Sequence, residues 1–216
     1  MLIKLLSRPH QESLRDLARL LSIADKPFLR GGKMKEEITS NTNTRNLSFK
    51  QGRAESSMLM DWSNESCTNE NGKLDFSISE NNSYEMGTIQ KGMLPWVING
   101  QGFSLVLEAL GNVPLLGNTE HQEIRWPVVL SALRGILDRL QKHGSSNALD
   151  SRSVKIVLFE LISLALADGN ISEIESHFLK EFANYYHIDK DTFNEIHERA
   201  ETMSREQKKT IEIILE

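Results

Sequence analysis

The sequence predicts a mainly α protein: a helical bundle over residues 96–216, preceded by a polar, partly irregular N-terminal region with room for one small β-hairpin. Three observations point there. Apolar residues make up 39% of the 216 and crowd beyond residue 100. In that part they recur at spacings of three and four, the period of a helix with one buried face. The runs are also punctuated by Ser with Glu or Gln three residues on, the signature of a capped helix start.

The elements follow in chain order. Leu14, Leu17, Leu20 and Leu21 repeat at helical spacing, so residues 11–23 read as a short amphipathic helix. Its solvated side is expected to carry Ser13, Arg15, Asp16 and Arg19, and Lys26-Pro27 and Gly31-Gly32 stop it. Residues 1–30 thus form a short helical segment of their own. From 31 to 95 Ser, Thr, Asn and Gly dominate, which reads as a polar linker or small irregular region. Within it Lys73–Ile78 and Tyr84–Ile89 alternate in polarity around Glu80-Asn81-Asn82-Ser83, the pattern of a hairpin.

The bundle is read from there to the last residue. Phe103 to Leu110 is a short apolar segment closed by Gly111-Asn112 and Pro114. A helix is expected to start at Trp126-Pro127, with proline where a missing N–H does no harm. Its stripe is Val129, Leu133, Ile136, Leu137 and Leu140, and its stop Gly144. Val154 to Ala167 is apolar nearly all round, interrupted by Lys155, Glu160 and Ser163, and reads as a central core helix ending at Asp168-Gly169-Asn170. Ser172 with Glu175 forms a capping box for the next helix, whose buried face is Ile174, Phe178, Leu179 and Phe182. Asp189 caps a third, with Phe193, Ile196, Ala200 and Met203 inward. Ser204 with Gln207 repeats the capping-box spacing and predicts a fourth helix through Ile211, Ile214 and Leu215. That helix has no stop signal, which suits a fragment of a longer chain or a helix that continues against a partner.

Composition narrows the function classes. No apolar run reaches the ~18–20 residues that span a bilayer, and the start lacks a secretory cleavage pattern. Cys67 is the single cysteine, so neither an internal disulfide nor a cysteine-rich zinc module can form. These features predict a cytoplasmic chain. The net charge of -5 is uneven: residues 1–50 hold ten Lys or Arg against five Asp or Glu, whereas 51–150 hold seven against twelve and 151–216 eight against thirteen. Arg30-Gly31-Gly32-Lys33 is a lone basic glycine motif, far short of an RNA-binding repeat, and no nucleic-acid partner is expected. The six histidines show no zinc-hydrolase spacing, and no phosphate-binding glycine loop or serine nucleophile motif occurs. No catalytic residue is assigned.

The turn Asp168-Gly169-Asn170-Ile171-Ser172-Glu173-Ile174-Glu175 is the one constellation with chemistry in it. It imitates the second half of a calcium-binding EF-hand loop, but Leu164 and Leu166 fall where that loop needs oxygen ligands. What remains is Asp168, Glu173 and Glu175 near one helix N-terminus, a loose site for a hard cation such as Ca²⁺ or Mg²⁺. The structural reading of the same residues is that Gly169 turns the chain, Ser172 and Glu175 cap the helix, and Asp168 satisfies backbone donors.

Leu164-Ala165-Leu166-Ala167-Asp168-Gly169-Asn170-Ile171-Ser172-Glu173-Ile174-Glu175 also resembles the signature of TerB-like domains, the tellurite-resistance family. The resemblance covers about 152–216, extendable to 126, and no second turn of this kind is present. It implies an all-helical, non-enzymatic module that works with another protein or a membrane-associated complex in stress response or phage defence, with the acidic turn as metal site. The expected function is therefore an interaction or scaffold module, with self-association left open. The alternative is an accessory part of a larger enzyme, with Trp96–Leu110 as a substrate groove and the active site elsewhere.

Overall fold

The computed structural model describes residues 2–26, 28–30, 33, 37–42, 47–49, 53–66, 120–142 and 148–215. Among these the protein is mainly helical: α1 (Arg8–Ala24), α2 (Arg53–Ser66), α3 (Glu120–Lys142), α4 (Ser151–Ala165), α5 (Glu173–Tyr185) and α6 (Lys190–Leu215). A 3-10 turn, Ile3–Leu5, precedes α1. Two short strands, β1 (Phe28–Arg30) and β2 (Leu47–Phe49), pair antiparallel with Phe28 opposite Phe49. The sequence pattern had not indicated them. The expected hairpin at 73–89, the segment Phe103–Leu110, Trp96 and the stop at Gly144 lie outside the described residues.

The bundle is organised around α1, which packs against α2, α3, α4 and α5. The first 30 residues, set apart by the sequence reading, therefore supply the middle of the core. Every residue from Ser13 to Ala24 is buried, including Arg15, Asp16 and Arg19. The expected solvated side of this helix does not exist, because four other helices cover it. Spacing along one chain shows which face is apolar, but not whether the polar face is also covered.

α2 falls within the stretch read as a polar linker. Its Trp62 is fully buried, with Met58 and Leu59 packed against the core. Glu55, Met58, Leu59 and Trp62 share one face at helical spacing, and that face meets α1 and α4.

In α3 the predicted stripe holds: Val129, Leu133, Ile136 and Leu137 are buried and Leu140 packs beside them. The predicted start does not, since Pro127 lies inside the helix, seven residues after its first. Proline removes the hydrogen bond to the carbonyl four residues earlier. Two residues before it, Arg125 Nη2 donates to the carbonyls of Ile23 (3.0 Å) and Lys26 (2.8 Å), which ties this part of α3 to the end of α1.

α4 is the near-apolar rod the sequence predicts, with Asp150 as its N-cap accepting from the Ser153 N–H at 2.6 Å. Glu160 has a specific use: it is buried, and its Oε1 accepts from the backbone N–H groups of Leu2 and of Ile3, the latter at 3.2 Å. The carboxylate thus takes up donors at the start of the 3-10 turn, which have no helical partner of their own, and ties the chain's beginning to the central rod. α5 starts with the complete capping box of Ser172 and Glu175 and buries Ile174, Phe178, Leu179 and Phe182 as expected. The aromatic side chains Phe178 and Phe182 fill the core between α4, α1 and α3.

α5 and α6 are joined by a left-handed residue, His187, at φ 55°. Ile188 N–H donates to Ala183 O (2.9 Å) and His187 N–H to Asn184 O (3.1 Å), the paired bonds of a Schellman stop. Asp189 then caps α6 through Thr192, at 2.8 Å from both its backbone N–H and its hydroxyl.

α6 differs from expectation in length. It is a single helix from Lys190 to Leu215, and Ser204 lies within it rather than capping a new one. No glycine or proline interrupts 190–215, so nothing breaks the helix between the two capping signals. Met203, expected inward, is 47% exposed. A 26-residue helix is about 39 Å long and the 15-residue α4 beside it about 22 Å. Because their starts lie together, the C-terminal part of α6 runs past the end of α4.

His187→Gly is expected to raise stability by about 0.5–1 kcal/mol, since only glycine adopts this backbone conformation without side-chain strain. Urea denaturation of the two chains measures the difference, and a loss of stability would mean that the His187 side chain has a packing role.

Candidate functional site

The acidic turn does join two core helices, α4 and α5, as its sequence predicts. Gly169 sits at φ 108°, a conformation that side chains disfavour, so the glycine is needed for the bend. Around this bend the fold brings together charges from four places. Lys26, just after α1, directs its ammonium to Asp168 Oδ2 at 2.9 Å. Asp25 Oδ1 and Glu55 Oε2 stand 3.6 Å from the same nitrogen. Arg125 of α3 lies against the end of α1 through the two carbonyl contacts already described, and Glu175 of α5 is close enough to interact with Asp25 and Lys26.

The three carboxylates expected to hold a metal are used separately. Asp168 is ion-paired with Lys26. Glu175 is buried and committed to the capping box, its Oε2 accepting from Ser172 N–H at 2.8 Å. Glu173 is exposed in the first turn of α5. Among the described residues no three His, Cys, Asp or Glu side chains are grouped so as to hold a metal ion. The cation that Asp168 contacts at this turn is the protein's own Lys26 ammonium group.

Electrostatics explains why an ammonium is kept there. Burial works against the Lys26 charge, but the Asp168 hydrogen bond and the charges of Asp25, Glu55 and Asp168 outweigh it and raise its pKa above the ordinary lysine value. Burial pushes the Glu55 carboxyl up from 4.5 to about 7; Lys26 opposes this, and Asp168, Asp25 and Glu175 add to it. Burial, followed by Asp25, also raises Glu175 against its Ser172 bonds and Lys26. For Arg125 burial lowers the pKa, with Asp25 opposing. With every group ionised the cluster holds two positive and four negative charges, and a proton on Glu55 relieves part of the excess.

Lys26, Glu55 and Arg125 were not among the site residues the sequence singled out, Lys26 being read only as part of a helix stop. One signal was present for Glu55: it sits seven residues before Trp62, on the same helical face as the aromatic ring. Lys26 and Arg125 gave none, since each is a cation in a polar setting until folding encloses it.

Trp126 packs its ring against His177 with centroids 5.5 Å apart, and His177 and His187 are exposed. Among the described residues no helix is long and apolar enough to cross a membrane. Compared with known proteins, the chain matches no family model, no curated protein and no solved structure.

Two outcomes follow from the cluster. Glu55 has a folded pKa above its unfolded value, so the folded state holds the extra proton between pH 4.5 and about 7. Its contribution is complete below pH 4.5 and is lost as pH rises towards 7, by about 3 kcal/mol. Chemical denaturation across this window should show a decline that Glu55→Gln reduces. Lys26→Met leaves three carboxylates facing one another and is expected to lower stability by about 3 kcal/mol. Millimolar Ca²⁺ or Mg²⁺ should leave the melting temperature of the parent chain unchanged and raise that of Lys26→Met. A rise in the parent would support the metal reading.

Proposed function

We propose that this chain is a non-catalytic interaction module of the TerB-like kind, serving a stress-response or defence assembly by docking another protein or a membrane-associated complex. The observation that carries the reading is the overhang of α6. Beyond Ala200 no residue of α6 is buried, and Met203, Ile211, Ile213, Ile214 and Leu215 are exposed, Ile213 and Ile214 at 74% and Leu215 at 80%. Grouped apolar side chains left in water mark a surface that another molecule covers.

The acidic corner supports the same reading. Its charges are spent on one another and on a helix cap, so it holds the ends of α1, α4 and α5 in place. The helix–turn–helix with Asp168, Gly169, Ile171, Ser172 and Glu175 remains the link to TerB-like domains.

Placing a photo-crosslinking residue at Ile211 in the full chain, expressed in cells, tests the proposal. A discrete adduct is expected, lost when Ile213 and Ile214 are both changed to Gln, while the melting temperature stays within about 2 °C of the parent because both side chains are solvent-exposed. Absence of any adduct would sink the interaction reading.

A further inference from the structure

A second feature lies on the same helix as the overhang. Between the first turns of α4 and the first half of α6 runs an open groove of about 720 Å³. Leu2, Phe159 and Ile196 give it an apolar floor. Arg152, Lys155 and Arg199 line it with positive charge, against the single carboxylate of Glu195. None of these three cations is ion-paired among the described residues.

Only the tip of the overhang has the complementary character: residues 210–216 contain four large apolar side chains and two glutamates with no basic residue, whereas Arg205, Lys208 and Lys209 lie nearer its root. The groove and the exposed stripe also share one face of α6. Thr192, Ile196 and Arg199 line the groove, and Met203, Thr210 and Ile214 continue that line at helical spacing. A chain cannot fill its own groove with its own overhang: Ile196 and Leu215 are about 28 Å apart along one unbroken helix.

We infer that the groove receives the α6 overhang of a second copy of this chain, and that two copies pair their α6 helices antiparallel so that each overhang fills the other's groove. The inference rests on the interaction reading and names one partner for it. Because groove and overhang lie on one helix face, a single antiparallel arrangement satisfies both ends at once and closes with twofold symmetry. The size is sufficient. Each 15-residue overhang is about 22 Å long and about 11 Å across, so covering half of it and a matching surface on each partner buries on the order of 1,500 Å², that of a standard stable interface.

Light scattering and sedimentation of the full chain over a range of concentrations test this. The parent is expected to pass from monomer to dimer as concentration rises. An overhang variant, Ile213→Gln with Ile214→Gln, which removes the apolar contact without adding charge, and a groove variant, Lys155→Glu with Arg199→Glu, should each raise the dissociation constant by about tenfold or more. Circular dichroism should match the parent in both, since all four residues are exposed.

The equimolar mixture discriminates the geometry. It retains one intact overhang and one intact groove, so a mixed dimer should form at concentrations where neither variant pairs alone. A parent monomeric at all concentrations, a groove variant that dimerises like the parent, or a mixture that fails to pair would each overturn the inference. A crosslinked adduct at Ile211 of some mass other than twice the chain would leave the interaction reading standing while removing the second copy as partner.

Discussion

α1 is covered on every side from Ser13 to Ala24, so its C-terminal carbonyls and the charges that follow it cannot be left to water. Unmet polar groups in such a place are costly, and each must find a partner inside the protein. Arg125 meets the carbonyls of Ile23 and Lys26, and the Lys26 ammonium is met by Asp25, Glu55 and Asp168. Those partners come from α1, α2, α3 and the turn after α4. Enclosure of one helix end therefore determines how four parts of the chain converge.

The same argument accounts for polar residues that interrupt otherwise apolar elements. Glu160 stands in a rod apolar almost all round because the backbone donors of Leu2 and Ile3 end beside it. Glu55 lies on the buried face of α2 with its carboxyl 3.6 Å from the Lys26 ammonium. An acidic corner near a helix N-terminus is attractive to a cation, and in this fold that cation is a lysine reaching across from another helix. The charge pattern that suggests a metal is thus answered by a side chain 142 positions away in sequence.

Packing and length then separate the interior from the working surface. α4 and α6 begin together, but α6 has eleven more residues, and among its buried residues only Ala200 joins the core. Its far half keeps apolar side chains in solvent, whereas the bundle hides nearly all of its own. That contrast between a charge-locked interior and an unsupported helix end is the basis for reading the molecule as one that binds.

Much of the C-terminal part was legible from residue order alone. The capping box of Ser172 and Glu175, the bend at Gly169, the cap at Asp189, the stripe of α3 and the all-round apolar character of α4 depend on neighbours within a few positions, and local backbone chemistry determines them. Which of two readings wins at Ser204 or Pro127, and that Arg15, Asp16 and Arg19 are enclosed, depended on what packs against those positions. Likewise Asp168, Glu173 and Glu175 are close in sequence and share a turn, yet only the tertiary structure decided that they act apart. Lys26, Glu55 and Arg125 are distant in sequence, and burial gives their charges a reach that water would have screened.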